Sequence, residues 1–98
     1  MASYVVYFTF TDQGIRNIKE SPARVQAAKQ IFQKHGAVVK SFYAVIGQPH
    51  DTFFTLEAPN DDAVVKGAMA VASLGNVRTQ TARLYNEEEF RNITAALP

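Results

Sequence analysis

The segment YVVYFTF at residues 4–10 is the first of four short runs that are rich in β-branched and aromatic residues. The other three runs occupy residues 37–46, 52–58 and 76–84. Helix-start and helix-stop signals separate the runs in the order strand, helix, strand, strand, helix, strand, helix. This order predicts a single α+β domain over residues 1–98, of βαββαβ type with a C-terminal helix and a four-stranded antiparallel sheet. It does not define a function, because unrelated proteins share it.

Three helices are predicted from the residues at their ends. Ser21 is expected to cap the first helix, and Gly36 follows its last turn. The second helix is expected to begin at Asn60, and the third at Asn86 with Glu89 completing a capping box. The apolar stripes that should face the core are Val25, Ala28, Ile31 and Phe32 in the first helix, Val64, Val65, Ala68, Met69 and Ala72 in the second, and Phe90, Ile93 and Leu97 in the third.

The connection at residues 11–20 is polar and longer than the usual two to six residues of a strand-to-helix connection. A connection of this length is either part of a site or interface, or a short helical turn that covers the end of a barrel formed by packed sheets. The sequence leaves both interpretations open.

The composition is typical of a soluble globular domain, with 47% apolar and 19% charged residues. A net charge of +1 gives no field that would attract nucleic acid or an anionic membrane, and no segment approaches the roughly 20 apolar residues that span a bilayer. With no cysteine and two separated histidines, we expect no disulfide, no metal site and no cofactor. The N-terminal run lacks the features of a signal peptide, so we expect a cytoplasmic protein.

Side chains alternate between the two faces of a strand, so each predicted strand divides into two sets. The set expected beneath the helices is Val6, Phe8, Phe10, Phe42, Ala44, Ile46, Phe54, Leu56 and Ala58. The opposite set is Tyr7, Thr9, Val39, Ser41, Tyr43, Val45, Phe53, Thr55 and Glu57, joined from the last strand by Thr79, Thr81 and Arg83. A shift of one residue in the register of the last strand would exchange its set.

This second face is too rich in Val, Tyr and Phe to stay in water on a stable monomer. Two copies packed face to face would form a dimeric α/β barrel whose interior mixes aromatic side chains with Thr, Glu and Arg. We therefore expect a homo-oligomer that is at least a dimer, with an enclosed polar pocket.

Several short motifs, in order along almost the whole chain, resemble those of the GYD domain family of small bacterial proteins, named after a Gly-x-Tyr-Asp signature in the central hairpin. The motifs are residues 10–14 (FTDQG), residues 21–24 (SPAR), Gly47 with Asp51, residues 57–61 (EAPND) and residues 73–79 (SLGNVRT). The resemblance implies a ferredoxin-like fold and oligomerisation, but no catalytic residue, because the family has no settled activity. The signature tyrosine is replaced here by Pro49-His50, with one extra residue.

Glu57 is the most suggestive single residue, because a carboxylate on a strand that faces a partly apolar interior must pair or shift its pKa. Arg83, Tyr43 or a hydroxyl could satisfy it in a structural pair, and the other interpretation is a catalytic base. His50 and Asp51 lie in the predicted hairpin loop at residues 47–51. The histidine could exchange a proton at the mouth of the barrel, or the loop could be an ordinary hairpin closed by the aspartate.

The ligand-binding candidates are Tyr7, Tyr43, Glu57, Thr79, Thr81, Arg83 and His50. The leading interpretation is a non-catalytic homo-oligomer that binds a small organic molecule in the barrel interior or at a subunit interface. The alternatives are a cofactor-independent oxygenase or isomerase, with Glu57 or His50 as proton acceptor, and a ligand-free assembly or regulatory protein. RNA-binding domains share the order of elements, but residues 51–58 (DTFFTLEA) lack their basic and aromatic pattern, so no nucleic-acid partner is expected.

Overall fold

The computed structural model describes residues 1–47 and 49–98. The elements are β1 (Ala2–Phe10), α1 (Asp12–Arg16), a 3₁₀ turn (Ile18–Glu20), α2 (Ser21–Lys34), β2 (Val38–Ala44), β3 (Thr52–Ala58), α3 (Asp61–Ala72), β4 (Val77–Leu84) and α4 (Glu87–Ala95). The predicted order of strands and long helices is confirmed. The connection at residues 11–20 contains α1 and the 3₁₀ turn, so its helical interpretation describes its conformation correctly.

The four strands form one antiparallel sheet in the order β2-β3-β1-β4. β1 and β3 occupy the centre, and α2 and α3 cover one face. This arrangement is the ferredoxin-like α+β fold that the sequence predicts. We call the covered side the helix face and the opposite side the open face.

The core lies between the helix face and the two helices. Val6, Phe54 and Leu56 are almost completely buried, as their alternation along β1 and β3 predicts. The rings of Phe8 and Phe32 each contact Phe54 edge-on, with centroids 5.1 and 5.9 Å apart. These contacts fix α2 against the middle of the sheet.

Two helix details differ from the prediction. Ser21 is the first residue of α2 and not its cap, because the 3₁₀ turn continues directly into the helix through Glu20. In α3, Val65 and Met69 are exposed, whereas Gly67 is buried against the ring of Phe32. A β-carbon at Gly67 would overlap that ring, so the close approach of α3 to α2 sets which face of α3 is buried.

Several face assignments are also wrong. Ile46, which is predicted to lie beneath the helices, follows the end of β2 and is fully exposed. The β2–β3 register shifts between Val39 and Ser41, so Val39 lies opposite Leu56 on the helix face, where it packs against the core. Such a bulge inserts an extra residue, here Lys40, and reverses the alternation beyond it. On β4 the register carries three predicted open-face residues to the helix face, namely Thr79, Thr81 and Arg83, which lie opposite Phe8, Val6 and Tyr4.

The C-terminal helix α4 differs from α2 and α3, because all of its residues are at least partly exposed. Its predicted inner face is uncovered, with Phe90 61%, Ile93 46% and the following Leu97 63% exposed. Its N-terminus carries the predicted capping box between Asn86 and Glu89. The capping signals therefore predict the helix correctly, but not where its apolar side lies.

Candidate functional site

The open face carries the predicted aromatic side chains. It consists of Ser3, Val5, Tyr7 and Thr9 from β1, Val38, Ser41 and Tyr43 from β2, Phe53, Thr55 and Glu57 from β3, and Arg78, Gln80, Ala82 and Leu84 from β4. Tyr43 is 58% exposed, although large aromatic side chains are usually covered in a stable domain. Of the predicted site residues, Tyr7, Tyr43 and Glu57 share this face, and His50 lies against it. Tyr7 and Tyr43 both lie opposite Phe53, whereas Glu57 lies four residues further along β3.

An aromatic row crosses the open face from β2 to the loop before β3. Its members are Tyr43, Phe53, Tyr7 and His50. The ring centroids are 5.5 Å apart between Tyr43 and Phe53, 5.7 Å between Phe53 and Tyr7, and 4.5 Å between Tyr7 and His50, which stack with an interplanar angle of 19°. Tilted and stacked rings at these distances attract one another and form a continuous aromatic surface across the open face.

Glu57 has the predicted orientation. It lies on the open face opposite Ser3 and Val38 and is half-buried. Its neighbour Thr55 shares a hydrogen bond with Ser41. Arg83 cannot pair with Glu57, because the β4 register places it on the other side of the sheet.

Arg83 instead connects the sheet to α4. Its guanidinium donates to a Glu89 carboxylate oxygen at 2.9 Å and lies over the rings of Tyr85 and Tyr4, 4.5 and 5.7 Å from their centroids. The backbone N–H of Asn86 donates to the other Glu89 oxygen, and this bond, followed by that from Arg83, lowers the pKa of Glu89. We call Arg83, Tyr85 and Glu89 the α4 anchor.

Tyr4 lies beneath this anchor and is 3% exposed. Its hydroxyl donates to a carboxylate oxygen of Asp61 in the first turn of α3. This hydrogen bond, followed by burial, raises the pKa of Tyr4. The raised pKa of Tyr4 therefore results mainly from its hydrogen bond to Asp61 on the helix side of the sheet.

The hairpin loop at residues 47–51 includes Gln48, which lies outside the described residues. Within the described part, the Asp51 carboxylate accepts a hydrogen bond from the backbone N–H of Phe10 at 2.8 Å. Nδ1 of His50 lies 3.4 Å from the hydroxyl of Thr9. The aspartate thus ties the hairpin to the end of β1, and the histidine is held over the open face.

The segment that contains α1 is fixed to the loop between α3 and β4. The Thr11 hydroxyl donates to the carbonyl oxygen of Gly75 at 2.6 Å, and the Gln13 amide donates to Asn76 Oδ1 at 3.0 Å. Arg24 of α2 donates to the carbonyl oxygen of Gly14 at 3.1 Å. Three of the sequence motifs, at residues 10–14, 21–24 and 73–79, therefore meet at one end of the molecule.

A cavity that the sequence does not predict lies beside this meeting point, between the helix face and α2. Its volume is about 80 Å³, and it is lined by Phe8, Phe10, Ser21, Arg24, Val25, Ala28, Phe42, Thr52, Phe54, Val71, Leu74, Asn76 and Val77. A wider groove of about 510 Å³ adjoins it and shares Phe10, Ser21, Val25, Phe42 and Thr52 with it. We call the smaller space the α2 cavity. The only sequence signal near it is the unusual length of the connection at residues 11–20.

No helix in the described part of the chain is long and apolar enough to cross a membrane. Within residues 1–47 and 49–98, no three side chains of the His, Asp or Glu type come together as metal ligands would.

Solved structures share the fold of this chain. They include the leucine response regulatory protein of Mycobacterium tuberculosis (TM-score 0.63, 21% identity, 87% of this chain and 51% of that chain) and the M. tuberculosis feast or famine regulatory protein complexed with L-methionine (TM-score 0.65, 21% identity, 88% and 51%). This chain thus spans about half the length of these two regulators. A protein of Thermus thermophilus matches over 88% of this chain and 95% of its own (TM-score 0.56, 20% identity).

In sequence, the chain is 32% identical over 82 residues to the "Glutamine synthetase and cystathionine beta-lyase binding protein" of Thermus thermophilus, covering 83% of this chain and 85% of the relative. The family model of the GYD domain matches residues 4–94. The predicted resemblance is therefore confirmed over nearly the whole length. The chain belongs to the GYD domain family.

Proposed function

We propose that the protein is a non-catalytic binding module that self-associates through its open face and holds a small organic molecule between the paired sheets. The observation that carries the proposal is the aromatic row from Tyr43 to His50 on a face that the chain's own helices leave uncovered. Its members already contact one another, so a second sheet would bury them without first having to order them. The feast or famine regulatory protein, which shares this fold, is complexed with L-methionine in its structure, and this is in keeping with ligand binding.

Association is also favoured by the size of the domain. A chain of 98 residues buries a limited fraction of its surface, and pairing of sheets removes further apolar area from water. Val38 and Leu84 lie at the two edges of the open face and are 43% and 36% exposed. A partner sheet would cover both edges and the aromatic row between them.

Glu57 is the carboxylate of the open face that an enclosed molecule would meet if it extended along β3 from the aromatic row. A carboxylate that becomes enclosed needs a hydrogen-bond donor, and a ligand donor would satisfy it. Glu57→Gln keeps the shape and removes the charge, so it should weaken binding while the protein still folds. A structural role would instead lower the stability of the assembly, and a catalytic role would require turnover of the bound molecule.

The test is sedimentation of the purified protein at micromolar concentration, followed by native mass spectrometry. We expect a dimer or larger species that carries a small molecule, and loss of that molecule in Glu57→Gln. A monomer of 10.8 kDa in sedimentation would contradict the proposed association. An oligomer that never retains a small molecule would favour the ligand-free assembly protein.

A second candidate function is binding to another protein. It is favoured by the uncovered apolar side of α4, with Phe90 61% exposed, and by the name of the binding protein that is 32% identical to this chain. Glutamine synthetase and cystathionine β-lyase are then the first partners to test, by co-sedimentation with the purified enzymes. Binding that is lost in Phe90→Asp but kept in Tyr43→Asp would assign the contact to α4.

A further inference from the structure

We propose that the α2 cavity is a second binding site within each subunit, and that it takes a small uncharged organic molecule with a short branched apolar end and one hydrogen-bonding group. The site lies behind the sheet, on the side opposite the aromatic row. It therefore does not depend on self-association or on the ligand proposed for the open face.

Thr52 carries the first step of the argument. It is a buried polar residue, 8% exposed, and it lies on the helix face opposite Phe8. No hydrogen bond from within residues 1–47 and 49–98 reaches its hydroxyl, although every fully buried polar side-chain atom in that part of the chain has a partner. Thr52 lines both the α2 cavity and its adjoining groove, so a molecule in that space would contact this residue.

A hydroxyl that makes no hydrogen bond within residues 1–47 and 49–98 and lies on the wall of a mainly apolar space is available to pair with a bound molecule, because polar groups in such places nearly always find a partner. The remaining wall is formed mainly by four phenylalanine rings and by Val25, Ala28, Val71, Leu74 and Val77. Such a space offers a bound molecule apolar contact on most sides and one fixed polar partner. This combination is the usual character of a small-molecule site.

The size of the cavity limits the apolar end of the ligand. An engineered apolar cavity of about 150 Å³ holds a benzene molecule, and the α2 cavity has about half that volume, 80 Å³. A branched group of about three or four carbon atoms fits this space. The rest of a larger ligand would extend into the adjoining groove, which also contains Thr52.

The charges in the walls favour an uncharged ligand. The guanidinium of Arg24 already donates to the carbonyl oxygens of Asn17 and Gly14, at 2.8 and 3.1 Å. The Asp51 carboxylate, which lines the groove, accepts from the backbone of Phe10. A charged group enclosed by the mainly apolar walls would lose its hydration, and these hydrogen bonds hold Arg24 and Asp51 in place, so neither side chain can turn freely towards it.

The test uses isobutanol as the probe, with isobutyrate and isobutylammonium as charged analogues of similar shape. Methyl resonances in NMR report its position: Val25, Ala28 and Val77 line the cavity, whereas Val5 and Ala82 lie on the open face. We expect saturable shifts at the cavity methyl groups with isobutanol, and weaker binding of both charged analogues. Shifts confined to the open face, no saturable shift, or tighter binding of a charged analogue would overturn the proposal.

Variants separate the hydroxyl from the apolar walls. Thr52→Val keeps the shape and removes the hydroxyl, so isobutanol should bind roughly fivefold more weakly, the loss of about one hydrogen bond. Thr94→Val makes the same change on exposed α4 and should leave the affinity unchanged. Unchanged affinity in Thr52→Val would overturn the proposal. If Thr52→Val does not fold, Ala28→Val serves as the test instead. This variant fills the cavity, so the proposal requires that it abolish the isobutanol-induced shifts.

Discussion

Gly14 lies so close to Asn76 that a β-carbon at position 14 would overlap the backbone carbonyl oxygen of Asn76. The same carbonyl accepts the backbone N–H of Thr11 at 3.1 Å, so it is held in place and cannot easily move away. This contact connects α1 to the loop that precedes β4. Position 14 therefore requires glycine because of space and not because of its backbone angles.

Gly14→Ala should lower the free energy of unfolding by about 1–3 kcal/mol, the usual cost of forcing extra atoms into a packed site. Chemical denaturation measures the change. Ile15→Ala, at a neighbouring position that is 51% exposed, is the control and should change stability by no more than about 0.5 kcal/mol. Equal stability of Gly14→Ala and the unmodified protein would show that the loop is not fixed as described.

Tyr43→Asp should convert the expected oligomer into a monomer. The substitution places a charge in the surface that pairing would bury, and an unpaired buried charge is strongly unfavourable. Sedimentation velocity measures the change. Met69→Asp introduces the same charge on the exposed side of α3, where 67% of Met69 is accessible, and should leave the assembly intact. An oligomer that survives Tyr43→Asp would place the interface elsewhere.

The α4 anchor should weaken in acid. The Glu89 carboxylate accepts from the backbone N–H of Asn86 and from Arg83, which lowers its pKa in the folded state. A lowered pKa means that its stabilisation is fully present above the ordinary glutamate pKa and is lost as pH falls through the folded value. As the pH is lowered from about 6 to about 2.5, hydrogen exchange of the backbone amides should therefore show that α4 opens at a higher pH than the sheet.

Glu89→Gln is the matched variant for this pH effect, because the amide cannot titrate. Its α4 should already be less protected at neutral pH and should change little with acid. Glu88→Gln removes a neighbouring charge outside the capping box and should behave like the unmodified protein. If α4 and the sheet opened together in all three proteins, the anchor would have no separate role.

Ala28→Val should raise the free energy of unfolding. Two added methyl groups would occupy part of the α2 cavity, whose volume is about 80 Å³, and burying them against its apolar walls is worth up to about 1 kcal/mol. Ala27→Val adds the same groups at an exposed position of α2 and should be neutral or slightly destabilising. A lower melting temperature for Ala28→Val than for Ala27→Val would show that the space is not available.

Removal of metal ions should not affect folding. The chain has no cysteine and only two histidines, His35 and His50, so a closed transition-metal site would have to be built largely from carboxylates. The melting temperature measured before and after treatment with a chelator should be the same. A fall of several degrees would reveal a structural metal, because such an ion contributes directly to folding.

The sequence predicts the fold well where local patterns decide it. The alternation in β1 and β3 correctly separates Phe54 from Phe53, and the caps at Asn60 and Asn86 are confirmed. The prediction fails where contacts between residues that are distant in sequence determine the structure. The bulge at Lys40 and the register of β4 depend on strand pairing, which no local pattern of residues 37–46 or 76–84 specifies.

The candidate site shows the same division. The open-face positions of Tyr7, Tyr43 and Glu57 follow from period-two alternation, whereas Arg83 is carried to the helix face by the β4 register. The α2 cavity could not be predicted, because a void is the space that remains after all surrounding side chains have packed. Its lining residues, such as Phe42, look like any core residue in the sequence.

The bulge at Lys40 also has a consequence for aggregation. It lies in β2, which is an edge strand, and it interrupts the regular row of backbone donors and acceptors that a strand from another molecule would need. The exposed lysine adds a charge that would be enclosed if such a strand were added. This edge therefore resists the addition of further strands, which is how sheets grow into fibrils. Face-to-face contacts stop once two sheets have paired, so copies of this chain can associate through them without such growth.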